Sequence, residues 1–437
     1  GAAVLVSRLF ARPDFEQTHM VQFFEWCLNK LETLKEQQNI FLFTGIFRAL
    51  AEIFKHAHRD ALLPNAPLLL ERSGKLWKSN KSRVVRKYAT KLIQRIGMVF
   101  LKPVVASWRY QKGRHVLMET PQSSPSKNTS DKSDVNENDV KSEESSQEFE
   151  VPEQIEYILD ILLNCLRDNE TVVRWSAAKG IGRITMRLPR TLGDEIVNNV
   201  LELLSPTENH QAWHGGCLCL AELSRRGLLL PSRIGDVIER ISKAMIYDVF
   251  QGQNSVGDQV RDAACYVAWA FARAYEPSLM QPFVSTLAKS LLTMAVFDKE
   301  IHCRRAACAA FQENVGRQGN FPHGIEIITT ADYWSVGLLS NAYLKVSKSI
   351  AQFDEYKHHL IDHLVNQKLT YWELKIRQLA AKALYELTEL DTDYMVNNVL
   401  PILINRCQSQ SVFERHGGLC GVAQIVKKLH ELNVEFN

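Results

Sequence analysis

The sequence predicts an all-α solenoid, a superhelix of stacked helix pairs, and three observations lead to this fold class. One short helical phrase recurs seven times along the chain. In each copy, apolar and small residues follow one another at the spacing of a single helix face. Runs that alternate apolar and polar residues, as β-strands do, are almost absent.

The phrase consists of a residue of the helix-capping type, usually an arginine six positions later, and a small residue three positions after that. Because Ser, Thr, Asp and Asn side chains accept hydrogen bonds from the free N–H groups of a first helical turn, we expect the first column to mark helix starts. The small residue allows a neighbouring helix backbone to approach closely. The seven copies are Asn80-Arg86-Ala89, Asp168-Arg174-Ala177, Thr207-Trp213-Gly216, Ser255-Arg261-Ala264, Asp298-Arg304-Ala307, Tyr371-Arg377-Ala380 and Ser409-Arg415-Gly418.

The spacing of the arginine column identifies the type of repeat. Four of its steps are 39, 48, 43 and 38 residues long, and HEAT and armadillo repeats have periods of about 40 to 47 residues. The step from Arg304 to Arg377 is 73 residues long and leaves room for one degenerate repeat near residues 331–344. We therefore predict about eight stacked helical units.

Composition divides the chain into three parts. Residues 1–117 and 151–437 are predicted to form helical repeats, whereas residues 118–150 differ abruptly in composition. From Glu119 to Glu150 the chain has nine acidic residues, three lysines and one aromatic residue, Phe149. Such a segment buries too little apolar surface to offset its ordering entropy, so we expect a disordered acidic loop within the solenoid.

Whole-chain composition excludes several classes of protein. The 437 residues are 46% hydrophobic and 23% charged with a net charge of +3, which gives no sign of a nucleic-acid or membrane partner. No segment approaches the roughly 18 apolar residues of a membrane span. Nine scattered cysteines indicate free thiols in a reducing, cytoplasmic compartment. The start of the chain lacks a methionine, so we expect a fragment of a longer polypeptide.

A basic segment, residues 72–118, contains 13 Lys or Arg residues and no Asp or Glu. It is either a cationic surface that attracts an acidic partner or a solvated face neutralised by the acidic residues that follow it. Trp77, Trp108 and Tyr110 lie between its charges, as in proteins that bind single-stranded nucleic acids. A known nucleic-acid-binding fold is lacking, so we do not expect nucleic acid as a partner.

Two features of the repeat have both a structural and a functional interpretation. The arginine column could supply a catalytic arginine to a GTPase, but its recurrence favours bridges to carboxylates or carbonyls of neighbouring units. The runs Trp-His-Gly-Gly at 213–216 and Arg-His-Gly-Gly at 415–418 place glycines inside helices at a cost of about 1 kcal/mol each. Very close helix packing explains them best, and close approach of a partner is the alternative.

Catalytic and metal-binding constellations are not found. His359 and His363 share a helix face, but zinc requires further ligands. His214, Cys217 and Cys219 lack a second ligand pair in the same way. No nucleophile–base pair or phosphate-binding loop occurs either, so we predict a non-enzymatic protein that uses no metal or cofactor.

Several longer runs resemble the tubulin-folding cofactor D family. The similarity extends over essentially the whole chain and goes well beyond a general HEAT consensus. The runs that carry it are FLKP at 100–103, WRYQ at 108–111, VVRWSAAKGIGR at 172–183, AWHGG at 212–216, VRDAACY at 260–266, WAFARAYEP at 269–277, NVGRQG at 314–319 and TTADY at 329–333.

The resemblance implies a HEAT or armadillo solenoid that captures β-tubulin. Members of the family work with tubulin-folding cofactors E and C and an Arf-like small GTPase to assemble or disassemble the αβ-tubulin heterodimer, and with them stimulate GTP hydrolysis by tubulin. It also implies a cytoplasmic protein associated with microtubules and centrosomes, and we expect no homo-oligomer. A scaffold or transport adaptor of the same architecture is the alternative.

We expect partner-binding residues where the chain departs from the repeat: in the basic segment, in the two His-Gly-Gly runs and in the loop around Arg317. The candidates are Lys75, Lys78, Lys81, Arg83, Lys87, Arg109, Lys112, Arg114, Trp213, His214, Arg317, Phe321, His323 and His416.

Overall fold

Helices form nearly all of the regular structure in the computed structural model, which describes residues 1–12, 14, 17–33, 39–79, 81–113 and 151–434. The predicted all-α solenoid is confirmed. The acidic loop at 118–150 lies outside the described residues, so the predicted division of the chain stays a prediction. The helices are α1 Ala2–Leu9, α2 Gln17–Thr33, α3 Ile40–His56, α4 Arg59–Leu62, α5 Ala66–Ser79, α6 Arg83–Phe100, α7 Gln154–Cys165, α8 Thr171–Thr185, α9 Arg190–Glu202, α10 His210–Arg225, α11 Ile234–Met245, α12 Asp258–Ala274, α13 Pro277–Met280, α14 Val284–Phe297, α15 Ile301–Gln318, α16 Gly324–Thr330, α17 Leu339–Asn341, α18 Ser347–Ile350, α19 Asp354–His363, α20 Leu374–Thr388, α21 Thr392–Tyr394, α22 Leu400–Arg406 and α23 Val412–Glu431.

Short stretches of other structure adjoin these helices. Three single-turn π-helical stretches, Ala342–Val346, Leu364–Lys368 and Met395–Val399, continue helices in the carboxyl-terminal units. One antiparallel hairpin, β1 Val249–Gln251 and β2 Asn254–Val256, lies between α11 and α12. This hairpin is not predicted from the sequence, because strands three residues long show too little alternation.

The second helices of successive pairs pack against one another in a continuous row. This row contains α3, α6, α8, α10, α12 and α15. The predicted apolar, small and apolar columns face the core, and in α8 they are Val173, Ala177 and Ile181, all fully buried. Buried side chains from Phe10 to Leu429 form one connected hydrophobic cluster, as expected where each unit buries its surface against its neighbours.

The first column of the phrase does not mark helix starts, and this prediction is wrong by two residues. The helix that follows Asp168 has Glu170 as its N-cap, and the helix that follows Asp298 has Glu300. Instead, the aspartate Oδ1 atom accepts a hydrogen bond from the N–H group two residues later, at 2.8 Å in both copies. The column therefore stabilises the turn before the helix, as Asx turns do.

The arginine column bridges neighbouring units, as predicted. Arg86 Nε donates to Asp168 Oδ2 at 2.9 Å, and Arg261 Nε donates to Asp298 Oδ2 at 2.5 Å. Each aspartate is the first-column residue of the next copy of the phrase. Arg304 uses carbonyl groups instead, with Nε at 2.7 Å from the oxygen of Val336. These side chains are therefore committed to internal contacts.

In the two His-Gly-Gly runs a histidine replaces the aspartate as the acceptor. Arg174 Nε lies 2.7 Å from His214 Nδ1, and Arg377 Nε lies 3.2 Å from His416 Nδ1. Gly215 is needed for close packing, because a Cβ there would lie 2.1 Å from the carbonyl oxygen of the preceding unit's Leu166. The close-packing interpretation of these glycines is confirmed.

After α6 the chain crosses the next three units as an extended crossing segment, residues 102–113. Trp108 Nε1 donates to the carbonyl of Leu188 at 2.8 Å. The N–H group of Tyr110 donates to the carbonyl of Gly227 at 2.8 Å. Gly227 has φ of 70°, and a Cβ there would lie 2.0 Å from the carbonyl oxygen of Tyr110. Glycine is therefore required at this position for its conformation and for the close contact.

One described segment is long and apolar enough to cross a membrane, although the sequence analysis expects none. The most apolar 18-residue window of Pro277–Phe297 has a mean hydropathy of 1.2, and 56% of this window is buried. The α14 part of this segment packs against α11, α15 and α19. It is therefore a core helix of the solenoid in this structure.

Candidate protein-interaction surface

Helix α10 is covered by its neighbours α8 and α12 in the row of second helices. Every residue of α10 from Ala212 to Ser224 is buried, and the helices on either side of it contact each other over it. The hydroxyl of Thr171 on α8 donates to Gln259 Oε1 on α12 at 3.0 Å. Residues of α8 and α12 therefore form the inner face at this point, whereas α10 lies beneath them.

A groove of ≈410 Å³ lies between α6 and α8. Its lining has four cationic side chains and no carboxylate, and we call it the basic groove. The lining residues are Lys87, Lys91, Gln94, Val172, Trp175, Ser176, Lys179 and Arg183.

Close packing of α6 against α8 forms the floor of the basic groove. Gln94 Nε2 donates to the hydroxyl of Ser176 at 3.2 Å, and Arg183 Nη1 donates to Gln94 Oε1 at 3.2 Å. Gly180 permits this approach, since a Cβ there would lie 2.8 Å from the Cβ of Gln94. These contacts fix the distance between the two helices and thus the width of the groove.

Few acidic groups compensate the charge of the basic groove. Among the described residues, Lys87, Lys179 and Arg183 have no ion-pair partner. Glu52 lies 4.0 Å from Lys91 but is shared with a second cation at 3.3 Å. Burial, followed by the charge of a neighbouring arginine, lowers the pKa of Arg183. The groove therefore has an excess of positive charge that an acidic partner could neutralise.

Aromatic side chains extend this surface from the basic groove toward α15. The rings of Trp175 and Tyr266 are 5.5 Å apart, and those of Tyr266 and Trp269 are 5.8 Å apart. The guanidinium of Arg273 lies 4.6 Å from the centre of the Trp269 ring. Partly exposed Trp, Tyr and Arg side chains of this kind are the types that contribute most to binding energy in protein interfaces.

The predicted residues of α5 and α6 have different surroundings. Lys75 Nζ pairs with Glu71 at 2.7 Å, and Lys81 and Arg83 are exposed. Lys87 is a member of the basic groove. Outside the described residues are the side chain of Lys78 and the whole of Arg114.

The predicted residues Arg109 and Lys112 belong to the crossing segment. The aromatic residues between these charges dock on the chain's own units, and the ring of Tyr110 stacks on that of Tyr275 at 5.1 Å. Trp108 packs beside Gly193, where a Cβ would lie 2.6 Å from its ring. The aromatic pattern of the basic segment is therefore explained by internal packing.

Three candidates in the His-Gly-Gly runs have internal partners. Trp213 and His214 are 95% buried, and Trp213 Nε1 donates to the carbonyl of Ser205 at 2.8 Å. Burial, followed by the charge of Arg174, lowers the pKa of His214 to about 3, so its ring is a neutral acceptor. His416 is partly exposed and accepts from Arg377. Their role in partner binding stays a prediction.

The remaining candidates lie at the end of α15 and in the loop after it, and Arg317 belongs to the last turn of the helix rather than to a loop as predicted. Arg317 is exposed and pairs with Glu313, which also pairs with Arg273 at 3.2 Å, so Arg317 lies at the far end of the aromatic row. Phe321 is buried against Phe311, with ring centres 5.6 Å apart. The ring of His323 stacks on that of Phe353 at 4.1 Å.

Of the four cations of the basic groove, only Lys87 was predicted from the sequence. Lys91 and Lys179 each lie five positions after the arginine of their own copy of the phrase. Trp175 directly follows its arginine, as Lys87 does. A comparison of the exposed positions between copies of the phrase would have shown that two neighbouring units each have a cation five positions after the arginine.

Among the described residues, no group of three His, Cys, Asp or Glu side chains could hold a metal ion. All nine cysteines have free thiols, and seven of them are buried. A separate polar cavity of ≈260 Å³ beside the hairpin is lined by both cations and carboxylates, including the Arg261–Asp298 pair.

Comparison with known proteins gives a consistent set of similarities. A family model described as tubulin-specific chaperone D-like ARM repeats matches residues 84–325. The chain is 38% identical to tubulin-specific chaperone D of Dictyostelium discoideum, over 98% of the chain and 30% of that relative. It is 30% identical to tubulin-folding cofactor D of Schizosaccharomyces pombe, over 89% of the chain and 34% of that relative. The chain thus spans about a third of the length of these curated relatives. Among solved structures, yeast importin-β matches 93% of the chain at 11% identity with a TM-score of 0.41, and the chain covers 46% of it.

Proposed function

Because the chain belongs to the family of tubulin-specific chaperone D-like ARM-repeat proteins, we propose that it is the tubulin-holding part of a tubulin-folding cofactor. The names of the two curated relatives support this role. The chain acts by binding and carries out no covalent chemistry. The resemblance further supports β-tubulin and the αβ-tubulin heterodimer as partners, in a cytoplasmic protein associated with the microtubule cytoskeleton.

The basic groove is the observation that connects this role to particular residues. A patch of four cations attracts acidic partners over a distance of about a Debye length, which is about 8 Å at physiological ionic strength. The aromatic row beside it supplies apolar contact area after the encounter. The inner face from Lys87 to Arg317 therefore offers both the charge and the contact surface that holding an acidic protein requires.

The finer parts of the proposal concern how the complex operates. Cofactors E and C and an Arf-like small GTPase join the chain to assemble or disassemble the αβ-tubulin heterodimer. In that assembly tubulin hydrolyses GTP faster, and the activating group comes from another component. The burial of Arg174, Arg261 and Arg304 supports this assignment, because an arginine that completes a GTPase site must reach out of its own protein.

Size-exclusion chromatography of the chain with purified αβ-tubulin tests the proposal. We expect the two proteins to elute together, ahead of either one alone, at low micromolar concentration. Separate elution at physiological and at low salt would show that this part of the family does not hold tubulin.

A further inference from the structure

The cations of the basic groove form two matched pairs. Lys87 and Lys91 lie one helical turn apart on α6, and Lys179 and Arg183 lie one turn apart on α8. Residues four apart in a helix are separated by about 6 Å along its axis. Alternate residues of an extended peptide are separated by about 6.6 Å. A peptide that runs along the groove can therefore present carboxylates to both members of each pair.

The two pairs lie on opposite sides of the groove. Successive side chains of an extended peptide point to opposite sides. In a run of four acidic residues, two alternate carboxylates would face Lys87 and Lys91, and the other two would face Lys179 and Arg183. Between these pairs, the hydroxyl of Ser176 can donate to the peptide backbone, and the Trp175 ring, with Lys179 Nζ 5.1 Å from its centre, adds apolar contact.

The charges outside the groove argue against nucleic acid as the occupant. On α10, Arg225 and Arg226 both pair with the buried Glu222. On α12 and α15, Arg273 and Arg317 both pair with Glu313. A groove for single-stranded nucleic acid needs unpaired cations along several nucleotides. These arginines of α10, α12 and α15 are thus paired, whereas three of the four cations of the basic groove have no ion-pair partner among the described residues, which suits a short acidic run.

We propose that the basic groove binds a run of about four consecutive acidic residues of a partner protein in an extended conformation, a length set by the matched helical and extended spacings. The inference deepens the proposed function and rests on it for the biological source of the peptide. It assigns Lys91, Trp175, Lys179 and Arg183 as contact residues in addition to Lys87.

Fluorescence anisotropy of labelled peptides tests this inference. The probes are a peptide with four consecutive glutamates between glycine–serine flanks, an isomer with the glutamates separated by three residues, and the corresponding glutamine peptide. We expect the chain to bind the consecutive-glutamate peptide about tenfold more tightly than the separated isomer, and the glutamine peptide not at all. Equal binding of the first two peptides would overturn the extended arrangement.

Charge-reversed variants locate the site. The double variant Lys179→Glu/Arg183→Glu should weaken peptide binding at least about tenfold. Lys179 is exposed and Arg183 is exposed apart from its hydrogen bond to Gln94, so circular dichroism checks the fold and the single variant Lys179→Glu, which leaves that bond intact, should also weaken binding. A matched control, Lys375→Glu/Lys382→Glu, changes the same charge at exposed positions of α20 and should leave binding within about twofold. Equal loss in both double variants would refute the groove as the site.

Two further outcomes separate this inference from the proposed function. Tubulin that elutes with the chain while the peptide fails to bind would refute the extended-peptide site and leave the cofactor role intact. Peptide binding without tubulin binding would support the site and refute the cofactor role.

Tighter binding of a 12-nucleotide single-stranded DNA than of the peptide, at the same salt concentration, would assign the groove to nucleic acid and overturn the inference.

Discussion

Replacing Gly215 with alanine tests the close packing that lets the units stack. The new Cβ would lie 2.1 Å from the carbonyl oxygen of Leu166 and 2.8 Å from its carbonyl carbon. A backbone group cannot rotate away, so α10 must move by about 1 Å to restore a normal carbon–oxygen contact of about 3.3 Å. Overpacking of this kind costs about 1–3 kcal/mol.

Helix propensity acts in the opposite direction. Alanine is favoured over glycine inside a helix by about 1 kcal/mol. With an overpacking cost at the upper end of its range, Gly215→Ala should lower the free energy of unfolding by about 2 kcal/mol. Gly316→Ala is the matched control, because a Cβ at Gly316 in α15 meets no atom within 4 Å. This control should raise the free energy of unfolding by about 0.5–1 kcal/mol.

Urea unfolding followed by circular dichroism compares the two variants with the parent chain. Hydrogen exchange then shows whether the loss of protection in Gly215→Ala is concentrated in α8 and α10, as the contact requires. A Gly215→Ala protein as stable as Gly316→Ala would refute the reasoning, since it would show that the units can separate at no cost.

Three further variants test other contacts. Asp298→Ala removes the nearer carboxylate of the buried Arg261 and leaves only Asp248, at 3.9 Å, so the free energy of unfolding should fall by about 3 kcal/mol in urea titrations, and a loss below 1 kcal/mol would contradict the bridge. The pKa of His214 is lowered on folding, so the stability it contributes is present above pH 6.5 and is lost as the pH falls. Between pH 6.5 and 5 the loss should be about 2 kcal/mol, and His214→Asn, which keeps an acceptor, should remove that part of the pH dependence. Gly227→Ala should release the crossing segment at Tyr110, seen as faster proteolysis and hydrogen exchange there, and unchanged protection would contradict the proposed contact.

The local sequence pattern was sufficient to predict the helices and the repeat. Helices such as α3 and α6 have strong apolar periodicity and flanking breakers, which define a helix from the sequence alone. The small third column also identified the buried contact positions. The first column was misread, since Asx turns and N-caps use the same residue types and differ by two positions.

The candidate surface could not be predicted in the same way, because it depends on contacts between residues that are far apart in the sequence. Lys91 and Lys179 are 88 residues apart, and only the stacking of α6 on α8 brings them into one groove. Trp108 and Tyr110 carried a pattern shared with nucleic-acid-binding proteins, yet both dock on the turns of later units. His214 likewise departs from the repeat consensus because of a contact inside the protein. Its ring takes the place of an aspartate and accepts the hydrogen bond from the arginine of the preceding unit.

The affinity of the chain for αβ-tubulin, measured for the parent and for the two charge-reversed double variants, tests the central claim most directly. We predict that Lys179→Glu/Arg183→Glu weakens tubulin binding at least about tenfold, or about 1.4 kcal/mol, whereas Lys375→Glu/Lys382→Glu stays within about twofold of the parent. Equal affinities of all three proteins for tubulin would contradict the claim that the basic groove holds the partner.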